Sequence, residues 1–179
     1  MSKSKDGLKN RVMAINLKHA EFLLQQLHVL VVDDSPFIRA IVRNLLSTIG
    51  VKRVTEAGDG LAALAMIREE VPGVIILDWE MPLLNGPELV RIVRSPGVFP
   101  APDIPIIMLS AHGEQWRILE SVKLGVNEFL CKPVSAKALF DRLMSMLLKP
   151  RESVQLGDYY GPAPRLPVSE TPETAPPVA

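Results

Sequence analysis

Four short aliphatic runs in this chain end in residues able to do chemistry. "VLVVDDSP" ends in Asp33 and Asp34, and "VIILDWEMPLLNG" turns polar at Asp78. "IIMLSA" delivers Ser110, and "FLCKP" delivers Lys132. Taken singly, each has a plain structural reading. Asp33 or Asp34 caps a helix, Ser110 sits in a turn, and Lys132 is solvated. Together they suggest more. Three carboxylates in one cleft raise each other's pKa unless a cation neutralises them. Hard oxygen ligands with room for water suit Mg²⁺ or Mn²⁺. A lysine is a mobile point charge able to grip an oxyanion, and a serine hydroxyl can donate a hydrogen bond to one. A divalent ion, an amine and a hydroxyl around one aspartate make a phosphoryl-transfer site, where one carboxylate attacks phosphorus and becomes an acyl phosphate. Asp33 and Asp34 are adjacent, which suits paired metal binding. Asp78 stands apart, before a loop whose proline and glycine let it turn tightly and present a backbone carbonyl to the metal. Asp78 is therefore the expected nucleophile.

The elements that must position these residues alternate. "HVLVVD", "KRVTEA", "GVIILD", "DIPIIMLSA" and "NEFLCKP" read as strands. A helical pattern follows each: Pro36 to Ile49, "DGLAALAMIREEV", "GPELVRIVR", "GEQWRILESVKLG" and "SAKALFDRLMSMLL". Ser35 caps the first helix, Pro36 occupies its first turn and Gly50 ends it. Five strand–helix repeats predict an α/β fold: an open five-stranded parallel sheet, (βα)5, with helices on both faces. A closed eight-fold barrel would need more units. In an open parallel sheet, ligands bind beyond the carboxyl ends of the strands, where all five polar residues fall.

Order, spacing and strand placement of these motifs resemble a CheY-like receiver domain of a two-component response regulator, over about 120 residues of the chain. The fold this implies is flavodoxin-like. The resemblance implies that Asp78 accepts a phosphoryl group from a histidine kinase or histidine phosphotransfer protein. It implies Mg²⁺ held directly by Asp34 and Asp78, through water by Asp33, and by the backbone carbonyl of Glu80. Ser110 and Lys132 would bind phosphoryl oxygens, and the Lys132–Pro133 bond would be cis. Phe129 stands at the switch aromatic, whose rotamer follows the serine. Phosphorylation adds roughly −1.5 to −2 of charge and three acceptor oxygens. Ser110 swings toward them, Phe129 fills the vacated space, and the face of the fourth helix, fifth strand and fifth helix repacks for a downstream protein target. Departures are Ser110 for the commoner threonine, Phe129 for tyrosine, and Glu80 and His112 at positions that tune phosphoryl lifetime. Trp116 is expected to pack inward, with a role as partner or dimer anchor if it is exposed. Cys131 is expected to be a core thiol.

The flanks differ from this middle, residues 28–148. Met13, Leu17, Ala20, Leu24 and Leu27 form a helical a/d seam within residues 1–27. An extra helix lying on the domain and a homodimer seam both account for it. Seven of the sixteen prolines fall in residues 150–179, so the tail, 149–179, is expected to be disordered. The exception weighed is "DYYGPAPRL", a candidate docking motif. Formal net charge is zero and the tail carries no basic cluster, which argues against nucleic acid or an anionic membrane as partner. No apolar run approaches the roughly 20 residues of a membrane span. No signal-peptide pattern is seen, and the lone cysteine fits a reducing compartment. These features point to a cytoplasmic receiver without an output domain. It would be not an enzyme beyond phosphoryl transfer to and from its own aspartate. Two alternatives stand beside it. One is a haloacid-dehalogenase-type phosphatase, disfavoured because Glu80 stands where that class wants a second aspartate. The other is an adaptor that takes no phosphate.

Overall fold

The computed structural model describes residues 18–165. Residues 18–26 are helical (α1). The five repeats follow as β1 (His28–Val32), α2 (Pro36–Thr48), β2 (Arg53–Ala57), α3 (Gly60–Glu69), β3 (Val74–Asp78), α4 (Gly86–Val93), β4 (Ile106–Ser110), α5 (Gln115–Lys123), β5 (Glu128–Cys131) and α6 (Ala136–Leu148). All five strands pair in parallel in the order β2-β1-β3-β4-β5. The order reverses after β1, so β1 and β3 are neighbours and their carboxyl ends flank the switch point. Asp33, Asp34 and Asp78 are brought together there.

The strands alternate between two cores. Leu30, Val32, Ile75 and Leu77 face one side, packing with Leu64 and Ile67 of α3 and Leu89, Val90 and Val93 of α4. Val29, Val31, Val74 and Ile76 face the other, packing with Val42 and Leu46 of α2 and Leu139 and Leu143 of α6. The two central strands beside the site, β3 and β4, are buried at every position. Continuous aliphatic runs are what a sheet covered on both faces requires.

Local signals set the helix starts. Ser35 accepts from the Ile38 amide at 3.4 Å, with Pro36 at the first turn. Asn85 and Glu88 form a reciprocal capping box at α4. Gly50, at φ +102°, ends α2 in the left-handed region.

Ala20, Leu24 and Leu27 are buried in the core shared with Leu46 and Leu143. The seam in residues 18–27 therefore serves to pack α1 on the domain. Met13, Leu17 and the rest of 1–17 lie outside the described residues. Phe37, at the start of α2, is 71% exposed, and Val42 and Leu46 are the buried residues of that helix.

Three expectations are corrected. Residues 150–165 are ordered, not disordered: Ser153–Leu156 (β6) and Tyr159–Pro162 (β7) form an antiparallel hairpin. It gains its burial by docking, with Gly161 and Pro162 covered, which proline content does not reveal. The remaining tail, 166–179, lies outside the described residues. Trp116 is 53% exposed rather than packed inward, because α5 buries only Ser121. Cys131 is exposed rather than in the core, because β5 is an edge strand.

Candidate functional site at the carboxyl ends of β1 and β3

Asp33 and Asp34 follow β1, and Asp78 is the last residue of β3. One carboxylate oxygen from each lies within 4.8 Å of the others. Asp33 and Asp78 are buried while Asp34 is exposed, so the cluster is walled by protein on one side and open to solvent on the other. Such a set of oxygens fits a hard divalent cation that keeps several waters.

Lys132 reaches in from the turn after β5. Its Nζ donates to Asp33 Oδ2 at 2.7 Å and contacts Asp78 Oδ1 at 2.9 Å. The Lys132–Pro133 peptide that follows is cis, as expected. Burial pushes the Asp78 carboxyl above the usual aspartate range, and Lys132 offsets only part of that rise. Burial alone would depress the lysine. Its bonds to Asp33 and Asp78 outweigh this and hold it above the ordinary lysine value. At neutral pH the site therefore holds one ammonium between two aspartates, one just after β1 and one ending β3.

Ser110 ends β4 and is fully buried, its Oγ accepting from the His112 amide at 3.1 Å. The hydroxyl proton stays available for a further acceptor. Glu80 turns its side chain away from the aspartates to pair with Arg117 at 2.7 Å. Phe129 is half-buried on β5, its ring edge-on to Trp79 at 6.3 Å and 73°.

The loop between Asp78 and α4 folds back on itself. The Gly86 amide donates to the Trp79 carbonyl at 3.0 Å. A Cβ at Gly86 would lie 2.4 Å from the Asp78 carbonyl oxygen, closer than any side chain tolerates. Glycine is required there because backbone passes against backbone.

Sequence reading missed three supports. Arg39, one turn into α2, donates to the Asp33 carbonyl at 2.7 Å and pairs with Glu56 at 3.1 Å. It ties the acidic turn to the end of β2, where Glu56 alone carried little signal. Trp79, directly after Asp78, is buried and meets Trp116 edge to face, the ring centres 6.1 Å apart. The Arg117 guanidinium lies over both indoles, 5.2 Å from the Trp79 ring centre and 4.9 Å from the Trp116 ring centre. Helical spacing put Arg117 on no core stripe. Only the fold brings it to Trp79 and Glu80.

The parallel order with a reversal after β1 defines an α/β protein of the flavodoxin-like class, with an acidic cluster and the lysine after β5 gathered at its carboxyl edge. Residues 29–144 match the response regulator receiver domain family. The chain is 38% identical over 120 residues to the chemotaxis protein CheY1 of Helicobacter pylori, covering 66% of this chain and 95% of that one. It is 33% identical over 121 residues to the chemotaxis protein CheY-3 of Vibrio cholerae, covering 68% and 92%. Among solved structures, Vibrio cholerae CheY4 superposes with a TM-score of 0.60 at 34% identity, covering 66% of this chain and 96% of that one. The Francisella response regulator 1452 receiver domain gives 0.60 at 33%, covering 66% and 93%.

The chain belongs to the response regulator receiver domain family, and with it to the phosphoryl-accepting regulators of two-component signalling. It is a signalling regulator rather than a classical enzyme. Among the described residues, no helix is long and apolar enough to cross a membrane.

Proposed function

We propose that Asp78 is the phosphoryl acceptor. The observation that carries this is the double contact of Lys132 with Asp33 and Asp78, at 2.7 and 2.9 Å. Of those two carboxylates, Asp78 ends the central strand β3 and is the less enclosed, its side chain 9% exposed against 3% for Asp33. Asp33 is tied down on three sides: its Oδ1 accepts from the Ser35 amide, its Oδ2 from Lys132, and its carbonyl from Arg39. Asp33 therefore serves as support and Asp78 as nucleophile.

Asp33, Asp34 and Asp78, with the Glu80 carbonyl, would hold Mg²⁺ or Mn²⁺. The bound ion supplies neutralisation of phosphoryl charge. The chain's own groups do the rest. The ionised Asp78 oxygen attacks phosphorus in line, a P–O bond forms, and the P–N bond to the donor imidazole breaks. The imidazole leaves with the bonding pair and takes a proton from solvent. Lys132 moves with the transferred charge from carboxylate to phosphoryl oxygen. Ser110 donates its hydroxyl proton to a second phosphoryl oxygen. Hydrolysis of the acyl phosphate returns Asp78, and its rate is set by the residues around the site, with Glu80 held aside by Arg117.

The donor is a histidine kinase or histidine phosphotransfer protein, and the working compartment is the cytoplasm. Ser110 and Phe129 relay the charge change to the face of α5, β5 and α6, where a downstream protein binds. The exposed Trp116, with Leu119 beside it at 53% exposure, supports that face as a contact surface, for a partner or for a second copy. Incubation with acetyl phosphate and Mg²⁺ tests the reading. An acid-stable, base-labile label that is lost with a chelator is expected. Steady release of phosphate from small phosphoesters, with no label on the protein, would indicate a phosphatase instead.

A further inference from the structure

The C-terminal hairpin lies on the receiver rather than beside it. Arg151 donates to the Asn127 carbonyl at 2.7 Å and to the Ala163 carbonyl at 3.1 Å, tying the start of β5 to the end of β7. The Tyr160 hydroxyl donates to Asp103 at 2.6 Å, in the proline-rich run before β4. The backbones of Gly125 and Gly161 touch: a Cβ at Gly161 would lie 2.7 Å from the Gly125 Cα. That contact requires glycine on both sides, and Arg94 braces it by donating to the Gly125 carbonyl at 2.9 Å.

Beyond the hairpin, Arg165 closes on Glu128, the first residue of β5. Glu128 is buried, and its other oxygen pairs with Arg142 of α6 at 3.3 Å. Between α5 and the segment 159–165 runs a groove of about 390 Å³, lined by Ile118, Val122, Phe129, Tyr159, Pro164 and Arg165. Phe129 thus has two neighbourhoods. Its ring meets Trp79, the residue after Asp78. The same residue lines the groove walled by the hairpin. No other described side chain both contacts Trp79 in this way and lines that groove.

We propose that the C-terminal segment 150–165 is an intramolecular ligand of the α5–β5–α6 face, clasped while Asp78 is free and released through Phe129 and Glu128 when Asp78 is phosphorylated. The segment is the occupant of that face in the resting protein, and an external partner must displace it. Its hold is a set of polar bonds around one glycine–glycine contact, with Gly161 and Pro162 its buried residues, so modest changes at β5 shift the balance. Coupling is reciprocal: if phosphorylation weakens the clasp, weakening the clasp must favour phosphorylation. The inference rests on Asp78 as acceptor, deepening the function of that site.

Amide hydrogen exchange on the full chain, with and without acetyl phosphate and Mg²⁺, tests it. Acetate leaves as the acyl-phosphate P–O bond breaks and the bond to an Asp78 oxygen forms. The extent of phosphorylation is read by mass in the same samples. Phosphorylated protein is expected to exchange the amides of residues 153–163 at least tenfold faster, with β1 and β3 unchanged. In the double variant R165E/Y160F, the same amides are expected to exchange fast without phosphate. A several-fold larger fraction of that variant becomes phosphorylated at limiting acetyl phosphate. Full phosphorylation with hairpin exchange unchanged overturns the clasp and leaves Asp78 as acceptor. Absence of any adduct on Asp78 overturns both.

Discussion

Replacing Lys132 with methionine keeps the aliphatic stem and removes one ammonium from between two buried carboxylates. At separations of 2.7 and 2.9 Å, each attraction has a gross magnitude of about 6 kcal/mol at an effective dielectric near 20. Desolvation of three charges cancels much of that. Breaking a buried pair costs about 3–5 kcal/mol. Lys132 retains 20% side-chain exposure, so the lower end applies, about 3 kcal/mol for metal-free protein at pH 7. The pH dependence follows from the shifts. The lysine's pKa is raised, so its contribution is complete below its ordinary value and is lost only as pH rises through the folded-state value. Asp78 is also raised, mainly by burial. As pH falls toward that value, Asp78 takes up a proton and the missing ammonium matters less. Urea denaturation of K132M and wild type at pH 7 and pH 4.5, with chelator and then with Mg²⁺, measures each term. The deficit is expected to shrink at pH 4.5. Mg²⁺ is expected to stabilise the variant more than the wild type, since no Nζ competes for the oxygens. A metal-free deficit under about 1 kcal/mol, or one independent of pH, would refute a site organised by Lys132.

Other outcomes follow from single contacts. D78N removes a carboxyl whose raised pKa lowers stability as pH rises through it, so the variant's stability relative to wild type is expected to increase from pH 4 to pH 7 in metal-free thermal melts. G86A forces a Cβ against the Asp78 carbonyl at 2.4 Å; a loss of about 2 kcal/mol, the scale of overpacking, is expected together with slowed labelling by acetyl phosphate. L24A empties a fully buried position of α1 and is expected to cost about 3 kcal/mol in chemical denaturation, with no change in oligomeric state by sedimentation.

The sheet was legible because burial on both faces leaves little freedom of composition: β3 and β4 had to be continuous aliphatic runs, and they read as such. Polar residues at their ends then stood out against that background. Lys132 and Asp33 lie 99 apart in sequence; their convergence on one sheet edge was anticipated because parallel strands align their carboxyl ends, whereas the bond between them was not. Arg39 and Arg117 were not anticipated. Each sits on a helix flank where spacing carries no message, and each finds its partner through tertiary approach. The hairpin was misread for a related reason. Proline and polar content predict poor self-burial, yet Gly161 packs on Gly125 and Arg165 pairs with Glu128, contacts supplied by the rest of the domain. Cys131 and Trp116 were expected inside because apolar residues usually are. The edge position of β5 and the shallow seating of α5 leave them outside.

Peptide mapping of the intact protein after acetyl phosphate and Mg²⁺ treatment tests the central claim most directly. One phosphoryl group is expected, on the peptide containing Asp78, and it is expected to be absent from D78N and from chelated wild type. A phosphoryl group that maps to Asp33 or Asp34, or that persists in D78N, would contradict the assignment.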